Sequence, residues 1–227
     1  MVKVDSRPGI RQGFIHIMPP GEPVASVILF AGGHGELKIS GGTITWGNTN
    51  FLVRSRDKFA QQGFQVAVID TPQDARGFLP LRRSTEEHLK DVRAVAEYLR
   101  SQANVPVWLI GTSMGTDSVG YLAVNGNEYF DGFIFTASAN KTAHYDLQKV
   151  TKPAMAIHNK KDGCYGAIPG MEGLIYDKLV NAKRREKISV SSSRRGNSSE
   201  CGALSPHGFL GIESEVVELI ANFIKGE

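Results

Sequence analysis

The chain has 227 residues, 41% of them hydrophobic, and a formal net charge of +3 from 26 Lys+Arg against 23 Asp+Glu. That length and composition suit a single soluble α/β domain over 1–227 with a sizeable core, and the charge is too small to argue for a nucleic-acid partner. No apolar stretch reaches the roughly 20 residues that span a bilayer, and no segment pairs a basic helical face with a strong apolar one, so no membrane partner is expected.

Met1 to Gly13 is polar and turn-rich and lacks the apolar middle of a signal peptide. Such a start is shared by cytoplasmic proteins and by the mature forms of exported ones. Gly13 to Pro19 alternates like an edge strand, with His16 on its solvent face. Val24 to Phe30 reads as a strand buried on both faces, the kind found in parallel sheets covered by helices. It runs into the glycine-rich turn Ala31-Gly32-Gly33-His34-Gly35, and a polar loop from Glu36 to Asn50 follows. Phe51, Leu52, Val53, Phe59 and Ala60 recur at helical spacing and stop at Gly63, and Gln65 to Asp70 is the next buried strand. The succession strand, helix, strand implies a right-handed crossover and a parallel sheet.

After a loop from Thr71 to Arg83, Ser84-Thr85-Glu86-Glu87 forms a capping box that starts a helix, with Leu89, Val92, Val95, Ala96 and Leu99 as its buried stripe. His88 on its first turn reads as a surface or capping residue, and Asp91 and Asp117 read as structural. The pairs Arg82-Arg83, Arg184-Arg185 and Arg194-Arg195 read as solvated surface.

The helix ends before Pro106, and the apolar run Val105 to Ile110 leads into Gly111-Thr112-Ser113-Met114-Gly115 and then the amphipathic stretch Asp117 to Val124. A strand, then G-x-S-x-G, then a helix is the setting of a nucleophile elbow. Glycines at both flanks let strand and helix approach, and the central serine is strained and exposed. Ser113 is therefore the candidate nucleophile. Two further strands are expected at 132–137 and 153–158, joined by a segment too short for a helical lid, with His144 on its surface. Asp162 follows the second of these strands, and a last strand at 187–190 is followed by a loop carrying Pro206-His207-Gly208-Phe209. A terminal helix is expected from Glu213 to Ile224.

Serine, then a strand-end acid, then histidine is the chain order of the α/β-hydrolases, and from about Val24 to the terminal helix the sequence resembles that superfamily in a small form without an evident lid. The resemblance implies an α/β fold: a mostly parallel central sheet, helices on both faces, and minimal or no cap. It implies Ser113 as nucleophile, His207 as general base and then acid, and Asp162 as the orienting carboxylate, with Glu172 as the nearest acidic alternative. The oxyanion hole falls to the backbone N–H groups of Gly33 and Met114, with His34 in place of Gly33 if the register shifts by one. The expected activity is hydrolysis of a carboxylic ester, a small-molecule or acyl-ester substrate, through an acyl-enzyme. Thioesters and peptides use the same triad, and a non-catalytic binding protein on this fold is the alternative from another class. The chemistry needs no metal or organic cofactor, and the histidines and cysteines do not fall at metal-ligand spacings.

Cys164 and Cys201, the only two cysteines, lie two residues after Asp162 and six before His207. If Asp162 touches His207, these loops meet and a disulfide is within reach, which implies a periplasmic or secreted protein; two reduced thiols imply the cytoplasm.

Overall fold

The computed structural model describes residues 1–77 and 79–227. Eight strands form one sheet in the order β1-β2-β4-β3-β5-β6-β7-β8. β3 (Ala25–Phe30), β4 (Phe64–Ile69), β5 (Val107–Thr112), β6 (Gly132–Thr136), β7 (Ala154–Asn159) and β8 (Arg185–Val190) pair in parallel. β1 (Val2–Arg7) and β2 (Ile10–Ile17) join antiparallel at one side. Every residue of β3 to β7 is buried, because helices cover both faces. Val27, Leu29, Val66, Val68 and Ile110 face α1 (Phe51–Arg54), α2 (Arg56–Gln61) and α7 (Glu213–Lys225). Ile28, Phe30, Ala67, Ile69 and Leu109 face α4 (Glu86–Gln102), α5 (Gly115–Asn125) and α6 (Met171–Lys178). A short α3 (Leu79–Arg82) lies in the connection before α4. The connection between β6 and β7 holds two 3₁₀ segments, Asn140–His144 and Leu147–Lys149, and no helical lid; His144 is exposed there, as expected.

Six sequence expectations are corrected, the last two of them His88 and Arg83. The outermost strand is β1, not the strand carrying His16. It is held by apolar packing at one end and ion pairs at the other: Val2 and Val4 pack on the core, while Arg7 reaches both Asp91 and Asp74 at 2.9 Å. His16 is half-buried, 5.4 Å from the Tyr98 ring and 3.1 Å from Gln65 Nε2. The helical stripe at 51–60 is broken at Ser55 into two short helices. Helix α4 starts one residue later than a Ser84 cap would set it: Thr85 is the N-cap, and its hydroxyl accepts the His88 N–H at 3.3 Å.

His88 shares the buried face of Val92 and Val95 and lies in the core, edge-on to Phe30 at 5.9 Å between ring centres and with Nε2 unpartnered. Arg83 is buried as well, at 1% exposure, so this pair is not solvated surface. Burial, with the positive field of Arg83, Arg7 and Arg82, draws the His88 pKa from 6.5 down to about 3. The folded state thus keeps His88 neutral where the unfolded chain protonates it, and stability is lost as pH falls through 6.5 toward 3. Thermal melts of the wild type and His88→Phe from about pH 7 to about pH 4 should show the wild type losing ground to the variant as the solution is acidified. A difference in Tm that stays constant over that range would contradict a neutral buried His88.

Candidate active site

The carboxyl ends of β3 and β5 open onto one cleft, and Asp162 beyond β7 reaches it through His207. At the end of β5 the chain turns sharply, with Ser113 at φ +53°, a left-handed conformation that costs a non-glycine residue about 1–3 kcal/mol. The turn is held from both sides. The Ser113 N–H donates to the Thr136 carbonyl at 3.1 Å, and the Ser113 carbonyl accepts the Thr116 N–H at 2.9 Å and its hydroxyl at 2.6 Å. Nothing larger than glycine fits the flanks. A Cβ at Gly111 would lie 2.5 Å from the Gly115 carbonyl oxygen, and one at Gly115 would run into the Phe30 carbonyl.

The glycine-rich turn after β3 passes directly against this elbow, since a Cβ on Gly32 would lie 3.0 Å from Ser113 Cβ. Gly33, at φ +59°, lines the cleft with Ser113. His34 turns its ring onto Trp46, 3.8 Å between centres, and its Nδ1 accepts the Glu36 N–H at 3.0 Å. Among the described residues, the N–H groups of Gly33 and Met114 donate to no protein acceptor.

Asp162, one turn beyond β7, is buried and collects three donors. Its Oδ1 accepts the Cys164 N–H at 2.8 Å, while Oδ2 lies 2.7 Å from His207 Nδ1 and 3.0 Å from His158 Nε2. Burial alone would raise its pKa, but the hydrogen bonds from His158 and His207 outweigh it and hold the carboxyl below the usual carboxylate range. His207 sits in the 3₁₀ turn Pro206–Gly208, where Ser205 Oγ accepts its N–H at 3.1 Å. Asn159 at the end of β7 fixes that turn by donating to the Pro206 carbonyl at 3.0 Å. Ser113, His207 and Gly33, together with Phe51 and Cys201, line a narrow cleft of about 50 Å³. Glu172 is engaged elsewhere, with Ser189 Oγ at 2.5 Å and the Gly170 N–H at 3.1 Å, so the alternative acid is not part of the cluster.

His158 and Arg83 were not singled out as site residues from the sequence. The signal for His158 is its place at a strand end four residues before Asp162. Arg83 carries no such signal. No group of three or more His, Cys, Asp or Glu among the described residues is placed to hold a metal ion, and no helix there is long and apolar enough to cross a membrane.

Cys164 and Cys201 form a disulfide with a Cα separation of 4.4 Å, joining the Asp162 loop to the His207 loop. Such a bond points to an oxidising, extracellular compartment.

No protein-family model matches the chain, and no curated protein matches it in sequence. Solved structures do resemble it in fold. Est1E from Butyrivibrio proteoclasticus with bound ferulic acid superposes with a TM-score of 0.66 at 13% identity, covering 99% of this chain and 98% of that one. The dienelactone hydrolase of Anabaena variabilis gives 0.67 at 13% identity, covering 99% and 95%. An α/β serine hydrolase without a lid from Xanthomonas campestris gives 0.62 at 18% identity, covering 96% and 93%. The chain has the α/β-hydrolase fold in its lidless form.

In thiol titration, the denatured and unreduced protein should therefore show no free thiol, whereas two would exclude the bridge. Reduction should lower unfolding stability by about 4 kcal/mol in the chain-entropy description, given the 37-residue separation of the two cysteines.

Proposed function

On this α/β-hydrolase fold, we propose that the protein is a serine hydrolase that cleaves carboxylic esters through an acyl-enzyme. The observation that carries the reading is the 2.7 Å contact between Asp162 Oδ2 and His207 Nδ1 at the cleft that also holds Ser113 in its left-handed turn. An ionised Asp162 is an acceptor, so His207 Nδ1 carries the proton and Nε2 presents a lone pair. His207 Nε2 takes the hydroxyl proton as Ser113 Oγ attacks the ester carbon. The carbonyl oxygen becomes an oxyanion held by the N–H groups of Gly33 and Met114, each donor being worth roughly 3 kcal/mol. The tetrahedral intermediate collapses, the alkoxy group leaves with the proton from His207, and the acyl group stays on Ser113. Water, deprotonated by His207, then attacks the acyl-enzyme and releases the acid. Asp162 stays ionised throughout and stabilises the imidazolium.

The narrow cleft and the Phe51 ring in its wall favour small acyl groups, including flat aromatic ones. The ferulic acid bound by Est1E makes a hydroxycinnamate ester the aromatic substrate to try beside a short-chain nitrophenyl ester. The disulfide supports a periplasmic or secreted location.

Ser113→Ala should lower kcat/KM on nitrophenyl acetate by on the order of 10³-fold or more, with the fold intact by circular dichroism. Asp162→Asn should cost on the order of 10⁴-fold, because the amide imposes the wrong imidazole tautomer. A fluorophosphonate should modify the peptide containing Ser113. Unchanged turnover in Ser113→Ala, or a label on another residue, would overturn the assignment.

A further inference from the structure

Arg83 is buried at 1% exposure, yet among the described residues no carboxylate forms an ion pair with it. Asp117, the acid whose field acts on it, is already matched by Lys141 at 2.6 Å and accepts the Tyr145 hydroxyl at 2.6 Å. The guanidinium instead bonds neutral groups. Nη2 donates to the carbonyls of Ala31 at 2.9 Å and Gly33 at 3.3 Å, and Nη1 donates to Ser118 Oγ at 2.9 Å. Nε has no partner. Desolvation lowers its pKa only to about 10, so it remains a cation at neutral pH. A buried charge without a counter-ion is among the most unfavourable groups a core can hold, and an apolar side chain of similar length would fill the space without that penalty.

The positions of its partners explain the retention. The Ala31 and Gly33 carbonyls bracket the Gly33 N–H along the chain, so the peptide carrying that N–H is fixed between two anchors on one guanidinium. The Gly32–Gly35 turn wraps closely around it: a Cβ at Gly35 would lie 2.5 Å from Nη2. Ser118 lies one helical turn beyond Met114, on the helix that starts at the elbow. One side chain therefore ties together the two segments that carry the Gly33 and Met114 N–H groups.

We propose that Arg83 is a positioning residue for the oxyanion hole, fixing the two N–H donors relative to each other and supplying a permanent positive charge in the low-dielectric core beside the developing oxyanion. The inference rests on the Ser113, Gly33 and Met114 roles given above. Its burial keeps Arg83 from touching substrate, so it acts through the loop and through its field. A fixed charge in a water-excluded site needs no reorganisation as the oxyanion forms, which is the condition under which such a charge lowers a barrier.

The test uses the full-length protein with nitrophenyl acetate. Arg83→Met, checked for folding by thermal melts, should lower kcat by on the order of 10²-fold with KM nearly unchanged. Arg83→Lys keeps the cation and should retain at least about tenfold more kcat than Arg83→Met near neutral pH. Desolvation in this site acts on a lysine too, so Arg83→Lys should also gain an alkaline limb, its rate falling as the buried amine loses its proton at a pH below about 10, where the wild-type guanidinium still keeps its own. A structural role alone would not create that limb. Folded Arg83→Met with wild-type kcat overturns the proposal, as do equal rates for the two variants at all pH values. If Arg83→Met does not fold, the alkaline limb of Arg83→Lys decides, its absence being the negative result. A wild type that takes no fluorophosphonate at Ser113 overturns the triad reading as well, whereas an active wild type with an indifferent Arg83 overturns the positioning role alone.

Discussion

The close approach of Gly115 to the Phe30 carbonyl sets the geometry on which the candidate site depends. β3 and β5 are neighbours in the sheet, and α5 can leave the end of β5 over the end of β3 only if no side chain stands between them. In that close crossing Ser113 is held at φ +53° by the bonds of its N–H to Thr136 and of its carbonyl to Thr116. The strain of about 1–3 kcal/mol is borne by structure that is stable for other reasons, namely five strands buried along their whole length and bonded in parallel register. The same close packing brings the glycine-rich turn after β3 against Ser113, so elbow and turn are two consequences of one steric constraint.

The other half of the site is held by polar contacts, and it centres on Asp162. A carboxylate removed from water needs its lone pairs filled. Here Cys164 N–H, His207 Nδ1 and His158 Nε2 supply the donors. His158 Nε2 is also 3.1 Å from the Ala167 carbonyl, so both of its neighbours are acceptors and it carries the proton at that nitrogen. Asp162 is therefore held by a donor from the strand that precedes it as well as by His207. The loop bearing His207 is fixed independently by Asn159 through the Pro206 carbonyl.

The parts of this arrangement legible in the sequence were those governed by short-range rules. Continuous apolar runs marked the parallel strands, G-x-S-x-G with glycines at 111 and 115 marked the elbow, and chain order brought Asp162 and His207 forward as partners, which the 2.7 Å contact places together. The strand β1 escaped because its alternation is confined to Val2 and Val4, too short to read as a strand, and its far end is secured by Asp74 and Asp91, which lie far along the chain. His88 and Arg83 escaped for a related reason. His88 lies four and seven residues before Val92 and Val95 and so shares their buried face, but a polar residue there does not announce its burial, and two of the partners of Arg83 are backbone carbonyls, which carry no sequence signature at all. Helix α6 was missed because its apolar residues Met171, Leu174 and Ile175 are too few to establish a helical stripe.

The disulfide completes the argument about the His207 loop. Between β8 and Pro206 the chain is rich in serine, glycine and arginine and mostly exposed, so the hydrophobic effect contributes little to holding it. Its local bonds, Arg195 to Glu200 at 2.5 Å and Gly196 N–H to the Leu204 carbonyl at 2.8 Å, organise the loop internally without tying it to the sheet. An exposed ion pair of that kind contributes at most about 1 kcal/mol. Asn159 at the end of β7 bonds the loop at Ser192 and Pro206, and the Cys164–Cys201 bond adds a covalent attachment between them, two residues from Asp162, with Cys201 itself forming part of the cleft wall. The covalent link thus stands where apolar packing is thinnest, and it makes the distance between the carboxylate and the imidazole a property of the folded, oxidised chain.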